Sequence, residues 1–335
     1  MQSRISNKKI LITGGAGFIG SHLVDHLLES GHHVTVLDDL SNGKLNNLKS
    51  AERFSAFRFI KGSILEYAPC EEACKNVEVV YHLACLGVRH SIHSPFENHR
   101  VNAEGTLNLL LAARKEKVEQ FVYISTSEIY GRTTAFPITE ANLTHPLTVY
   151  GASKLAGEHY TNSFFECYGM NTTVLRIFNN YGPRAHYEGD SGEIIPRTIV
   201  NVLNNIAPVI FGDGSITRDF FFVKDTAKVL GGLIGLQNIA GKTFNLGTGV
   251  EISMKHLVEQ ILNLVSNTEL EINYLPDRPA DVPRLWVDSS KIRSLLSIEN
   301  EMPFIDGLRE TVDFYTELNK KENLSKSIKV INWEK

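Results

Sequence analysis

Cysteine is scarce in this chain, excess charge is absent, and no long apolar run occurs. Its four cysteines, Cys70, Cys74, Cys85 and Cys167, are spaced for neither a zinc site nor a disulfide framework. Cys70 and Cys74 could share a helix face, but no second pair accompanies them, so reduced thiols and no metal are expected. No apolar run approaches the ~18 residues that span a bilayer, and the opening residues lack the apolar stretch of a signal peptide. The formal net charge of -4 offers neither nucleic acid nor an anionic membrane surface a reason to bind. There is no internal repeat and no low-complexity tract. A soluble, cytoplasmic protein is expected. If it binds a polyanionic ligand, it must do so with helix N-termini and a few placed arginines.

What is present is an ordinary globular composition, 42% hydrophobic and 21% charged over 335 residues, enough for one large domain or two modest ones. Strand-length apolar runs alternate with helical patterns through the first half. Strands are predicted at Lys9–Thr13, His33–Leu37, Phe57–Ile60, Glu78–His82, Phe121–Ser125 and Thr173–Ile177. Helices are predicted near Phe18–Glu29, Pro95–Lys117 and Val149–Tyr168, and later near Met254–Val265 and Ile305–Glu317. Short apolar strands separated by helices point to an α/β protein with a parallel sheet covered on both faces. The pattern changes after Ile177, where Asn179–Asp190 and Gly212–Asp219 read as polar loops. The expected architecture is a Rossmann-type doubly wound sheet in residues 1–178, with segments around 220–250 returning to it. A smaller α/β domain for substrate occupies most of 179–335, and the last dozen residues read as a loosely held tail.

The segment from Thr13 to Gly20 carries G-x-x-G-x-x-G, with Gly14, Gly17 and Gly20 placed between a strand and a helix. Glycines there permit a tight turn and let the backbone approach a pyrophosphate resting on the helix N-terminus. Asp38 follows about 20 residues on, where a carboxylate accepts hydrogen bonds from ribose hydroxyls and repels a 2′-phosphate. With Asp39 beside it, NAD is the expected cofactor. Farther along, Tyr150 and Lys154 stand at i and i+4, on one face of a helix. A phenol near its reference pKa of ~10 is a poor base, and a neighbouring ammonium and a positive nicotinamide ring would both favour phenolate. The stretch Ser125-Thr126-Ser127-Glu128 puts hydroxyls and a carboxylate at the end of a strand, where ligands bind in such folds. Thr126 could relay a proton to Tyr150, or Thr126 and Ser127 could simply cap a turn.

Together these strings resemble the extended short-chain dehydrogenases that act on nucleotide sugars, the NAD-dependent epimerase/dehydratase family. Further matching strings are Leu37-Asp38-Asp39, His82-Leu83-Ala84, Arg176 to Arg184, Thr217 to Phe220 and Arg278 to Val282. The resemblance implies oxidation of the sugar's carbon 4 hydroxyl to a 4-keto sugar, with Tyr150, Lys154, Thr126 and Glu128 as the catalytic set. It also implies that Phe18, Ile19, Asp39, Asn42, Ser63, Ile64, Leu83, Ala84 and Ser125 join the glycines, Asp38, Tyr150 and Lys154 around NAD. Relatives often carry Gly-Asp-Ile on the adenine, and here the string is Gly62-Ser63-Ile64. Asn179, Arg218 and Arg278 would hold a nucleotide diphosphate, with Ser127 and Arg89 near the sugar. The resemblance also implies a homodimer packed through the helices near Pro95–Lys117 and Val149–Tyr168.

Three outcomes follow a 4-keto sugar: epimerisation, 4,6-dehydration, or decarboxylation of a uronate. Whole-chain resemblance favours a UDP-sugar 4-epimerase. Glu128 is the residue that dehydratases and uronate decarboxylases place here, yet Ser127 stands where the dTDP-glucose dehydratases have Asp. Ser-Glu also resembles the GDP-mannose dehydratases, whose preference for NADP conflicts with Asp38. Arg89 or Arg184 could meet a uronate carboxylate, while the acids Glu188, Asp190 and Glu193 argue against one. A non-catalytic NAD-sensing protein on the same fold is the reading from another class, and retention of Thr126, Tyr150 and Lys154 opposes it.

Overall fold

A computed structural model describes residues 7–296, 298 and 301–334; Met1–Ser6, the opening of the stretch read above for a signal peptide, lies outside them. The first half runs β1 (Lys9–Thr13), α1 (Phe18–Glu29), β2 (His33–Asp38), β3 (Phe57–Lys61), α2 (Tyr67–Cys74) and β4 (Val79–His82). It continues through α3 (Val88–His93), α4 (Pro95–His99), α5 (Gly105–Lys115), β5 (Gln120–Thr126), α6 (Val149–Tyr168) and β6 (Thr172–Ile177). Then come β7 (Asn179–Tyr181), α7 (Ile194–Leu203), β8 (Val209–Phe211), β9 (Thr217–Arg218), β10 (Phe220–Phe222), α8 (Val223–Gly232) and β11 (Lys242–Leu246). The remaining elements are β12 (Ile252–Ser253), α9 (Met254–Val265), β13 (Asn273–Leu275), β14 (Arg284–Leu285), α10 (Ser290–Arg293) and α11 (Phe304–Lys321).

The α/β fold and parallel sheet expected from the sequence are present. Seven strands lie in the order β11-β6-β5-β4-β1-β2-β3, every neighbouring pair parallel. Side chains alternate across the sheet. Ile10, Ile12, Val34 and Val36 pack with Leu23 and Leu27 of α1 and Leu230 of α8. Leu11, Val80, Phe121 and Val174 face the opposite way, onto Cys70 of α2, Leu109 of α5 and Phe164 of α6. Burial of each large aliphatic or phenyl side chain contributes roughly 1.5–3 kcal/mol, which is why unbroken apolar runs become central strands. Strand order reverses between β1 and β4, so a crevice opens at their C-terminal ends, the place where ligands bind in open α/β sheets. A separate core of Ile195, Ile199, Phe220, Leu257, Ile261 and Leu308 joins α7, α9 and α11 beside that crevice.

Three local readings need correction. The single helix expected over Pro95–Lys117 is α4 and α5 joined by a π-helical turn at Arg100–Glu104. There Asn98 and Asn102 donate to the Leu86 carbonyl (3.0 Å each) and Asn102 accepts from the Leu86 amide (2.8 Å), so the widened turn serves the loop after β4. The two supposed loops each contain a short strand, β7 paired with β10 and β9 paired with β12 and β14. The closing stretch is not loose: Leu324 and Asn332 are buried, because Arg197 and the carbonyl of Gly192 supply partners for its backbone and side chains. No helix among the described residues is long and apolar enough to cross a membrane.

Candidate active site

The glycine turn sits at the mouth of the crevice because its backbone leaves no room for alternatives. Gly14 has φ +71°, and a Cβ added to it would lie 2.7 Å from the Ala84 amide nitrogen. Gly17 precedes α1 in extended conformation, and a Cβ there would meet only the Gly14 carbonyl oxygen, at 3.1 Å. What a side chain at Gly17 would fill is therefore cavity, and the first-turn amides of Phe18 and Ile19 lie beside it without helical acceptors. Asp38 holds the turn: its carboxylate accepts from the Ala16 amide (2.9 Å) and the Leu40 amide (2.8 Å). Burial raises its pKa while those two amides oppose the shift. Each oxygen keeps lone pairs for further donors. These features fit a dinucleotide.

Helix α6 carries Tyr150 and Lys154 into the same cavity. Thr148 caps it by accepting from the Gly151 amide (3.1 Å), worth about 1 kcal/mol, and Gly169 ends it in the left-handed conformation. Its position against the sheet is set by Arg176 of β6, which grips Glu158 of α6 at 2.7–3.2 Å while donating to the Tyr130 hydroxyl. Lys154 is buried; its ammonium donates to the Ile124 carbonyl (2.6 Å) and lies 4.2 Å from the centre of the Tyr123 ring. Burial lowers its pKa, with Cys85 and Glu158 working the other way. Burial pushes the Tyr150 phenol far up; Cys85, Glu128 and Glu193 add to that and the Thr126 hydroxyl opposes it. Thr126 caps the turn Ser127–Ile129 by accepting from the Glu128 amide (3.2 Å), and as an acceptor there it keeps its own O–H for the cavity it lines.

The cavity, about 440 Å³, is also lined by the guanidinium groups of Arg89, Arg218 and Arg278. Glu128 lines it; burial raises its pKa, while Arg218, Arg89 and Arg278 oppose the shift. Arg218 is committed to the protein, donating to Asp281 (2.7 Å), the Val282 carbonyl (2.7 Å) and the Thr217 carbonyl (2.8 Å). Arg278 donates to Asp281 through Nε alone (3.1 Å), which leaves its terminal nitrogens for a ligand. Arg89 Nε and Asn179 Oδ1 are buried without partners. An unsatisfied buried polar atom calls for a ligand or water to complete it.

Most of the residues singled out in the sequence line this one cavity: Gly14, Gly17, Phe18, Ile19, Gly20, Asp38, Asp39, Asn42, Ile64, Leu83, Ala84, Arg89, Ser125, Thr126, Ser127, Glu128, Tyr150, Lys154, Asn179, Arg218 and Arg278. Two do not. Arg184 pairs with Asp25 of α1 (2.8 Å) and does not line the cavity, and the Ser63 hydroxyl is turned to the Leu65 amide (3.3 Å). The acidic loop also reads differently in three dimensions, since Glu188 pairs with Lys44 and Asp190 with His93. Of these three loop acids only Glu193 lines the cavity without an ion-pair partner among the described residues, and burial raises its pKa to about 7 against the pull of Arg89. Cys85 and Trp333 also line the cavity, and neither is among the site residues expected from the sequence; Glu193 enters there only as a charge against a uronate. For Cys85 the adjoining His82-Leu83-Ala84 string was the signal; for Trp333, an aromatic in a polar tail, there was little.

The family model described as GDP-mannose 4,6 dehydratase matches residues 11–311. A UDP-glucose 4-epimerase of Mycolicibacterium smegmatis is 36% identical over 313 residues, 92% of this chain and 98% of the relative. A dTDP-glucose 4,6-dehydratase of Streptomyces niveus is 34% identical over 315 residues, 92% of either chain. Among solved structures, the UDP-glucuronic acid 4-epimerase of Bacillus cereus, in complex with UDP-glucuronic acid and NAD, superposes with a TM-score of 0.87 at 33% identity, covering 92% of this chain and 99% of that one. With matches of that extent over a crevice of this composition, the chain is an enzyme of the NAD-dependent nucleotide-sugar epimerase/dehydratase family, an extended short-chain dehydrogenase.

Proposed function

We propose that the protein binds NAD and a UDP-sugar in this cleft, oxidises the carbon 4 hydroxyl and returns the reduced sugar as its 4-epimer. The observation that carries the reading is the meeting of the Gly14–Gly20 turn, the Thr126–Tyr150 pair and the free end of Arg278 in one cavity. Tyr150 takes the proton of the carbon 4 hydroxyl, and Thr126 hydrogen-bonds the same oxygen and relays the proton. Lys154, anchored on Ile124, holds the ribose next to the reacting carbon. When bound, NAD supplies the hydride acceptor and donor and a positive ring that draws the phenol toward phenolate. Arg278 and Asn179 hold the diphosphate, the arginine by paired N–H donors. The keto sugar turns over within the cavity, so that carbon 4 would be re-reduced from its opposite face while Tyr150 returns the proton to the carbon 4 oxygen.

A second reading rests on Glu128. Its carboxylate lines the cavity beside Thr126, where it could handle the carbon 5 proton of a 4-keto sugar, as a dehydratase or a uronate decarboxylase requires. Ser127 cannot protonate a leaving 6-hydroxyl as a carboxylic acid would, which weighs against the dTDP-glucose dehydratase outcome. Incubation with UDP-, dTDP- and GDP-sugars, uronates included, followed by mass and NMR analysis separates the readings. Unchanged mass with inverted carbon 4 supports the epimerase. Loss of water or of carbon dioxide transfers the assignment to the second reading.

The same proposal makes residues 1–178 with 220–250 the cofactor unit and most of 179–335 the substrate unit. It also makes the protein a homodimer. Phe96 (74% exposed), Leu111 (40%), Val149 (38%) and Tyr168 (51%) are large apolar groups left at the surface of α4, α5 and α6. Sedimentation at micromolar concentration tests that; a monomer would refute it.

A further inference from the structure

Residue 311, where the family match ends, lies inside α11, and the chain beyond that helix returns to the cleft. Leu324 is buried in the core of α7, α9 and α11. Arg197 of α7 donates to the carbonyls of Lys329 (2.7 Å) and Val330 (2.8 Å), fixing the strap across that helix. Asn332 is fully buried and donates to the Gly192 carbonyl (2.9 Å). These anchors deliver Trp333 to the cavity wall, where it is 9% exposed. Its ring meets the Phe211 ring edge-on, at 4.8 Å between centres and 72° between planes. Phe211 in turn lies 5.4 Å from the Arg278 guanidinium.

We infer that Trp333 is a substrate-binding residue that packs against the nucleobase of the nucleotide sugar, and that the strap 322–334 exists in this chain to place it. The inference rests on the nucleotide-sugar reading above. The free end of Arg278 suits a diphosphate, and the indole, linked to it through the Phe211 ring, offers the flat apolar surface that a base attached to that diphosphate needs. The ring contact of Trp333 is with Phe211 and not with the glycine turn or Asp38, so cofactor binding does not depend on its indole. Stacking on an aromatic ring is sequence-tolerant, because every base has a π-face, so Trp333 strengthens binding without choosing the base.

The chain has two tryptophans, Trp286 and Trp333, which makes intrinsic fluorescence a local reporter. Trp286 donates to the Gly249 carbonyl (2.7 Å) and does not line the cavity. With the NAD-loaded enzyme, UDP, dTDP and GDP are titrated by calorimetry and by fluorescence. The nucleotide that binds should quench emission in Trp286→Phe and leave it unchanged in Trp333→Phe. Trp333→Ala should weaken that nucleotide by about five- to a hundredfold and raise KM in step, with kcat held within about twofold and NAD affinity unchanged. Trp333→Phe should restore most of the affinity. Wild-type affinity in Trp333→Ala, or quenching that follows Trp286, overturns the role of Trp333 and leaves the proposed function standing. If no nucleotide binds the wild type, the nucleotide-sugar reading fails and this inference fails with it. Should Trp333→Ala not fold, the fluorescence pair decides.

Discussion

Around the glycine turn and the start of α6 the side chains of Asp38, Lys154 and Thr126 are already held by the protein, whereas across the cavity Arg89 and Asn179 keep buried atoms without partners. Asp38 accepts from Ala16 and Leu40, Lys154 donates to Ile124, and Thr126 accepts from Glu128. Across the cavity, Arg89 Nε and Asn179 Oδ1 are buried without partners, and Glu193 has no ion-pair partner among the described residues. The first end is preorganised by contacts close to the sheet edge, as suits a cofactor that stays bound. The second leaves its donors and acceptors for a ligand that comes and goes. Satisfied groups cost nothing when the site is empty, whereas unsatisfied buried groups favour occupancy.

The sharpest break in this contrast is at the boundary between the ends. Tyr150→Phe should lower kcat by about 10²–10⁴-fold while NAD binding, measured by calorimetry, stays as in wild type. At the far end, Arg278→Ala should raise KM for the UDP-sugar by roughly ten- to a hundredfold with a smaller change in kcat. Arg184→Ala, by contrast, should leave both constants within about twofold, because its partner is Asp25. Equal effects of the two arginines would erase the distinction between a ligand-facing and a structural guanidinium.

A pH measurement probes the unsatisfied end in a different way. The Glu193 carboxyl has its pKa raised from 4.5 to about 7, so the folded state holds a proton that the unfolded state has lost between those values. The stabilising contribution is full below pH 4.5 and disappears as pH rises through about 7. Relative to Glu193→Gln, the wild type should therefore lose up to about 3 kcal/mol of stability between pH 5 and pH 8, read as a drop in melting temperature. Parallel curves for the two proteins would show that Glu193 is solvated or paired.

The same division explains what could be read from the sequence. Strands β1 to β6 and helices α1, α6 and α9 were legible because their apolar periods and end signals are local, as with Thr148 and Gly169 around α6. The glycine turn, Asp38, Thr126, Tyr150 and Lys154 were legible for the same reason: each sits at a strand end or helix start that its own neighbours define. The far end is assembled from segments distant in the chain, Arg89, Asn179, Glu193, Arg278 and Trp333, and no local period marks them. Arg184 looked like a ligand by its string and is a partner of Asp25; Trp333 looked like tail and lines the cavity. The π-helical turn at Arg100–Glu104 escaped for a related reason. Its cause is the pairing of Asn98 and Asn102 with Leu86, a contact between elements.

The central claim is that carbon 4 gives up its hydrogen as hydride while Tyr150 takes the hydroxyl proton, and that the hydride returns to the same carbon. A UDP-sugar carrying deuterium at carbon 4 tests it directly. The account predicts a product of unchanged mass, inverted at carbon 4 and still deuterated there. Deuterium at carbon 6 with loss of water, or label lost to solvent, would contradict it.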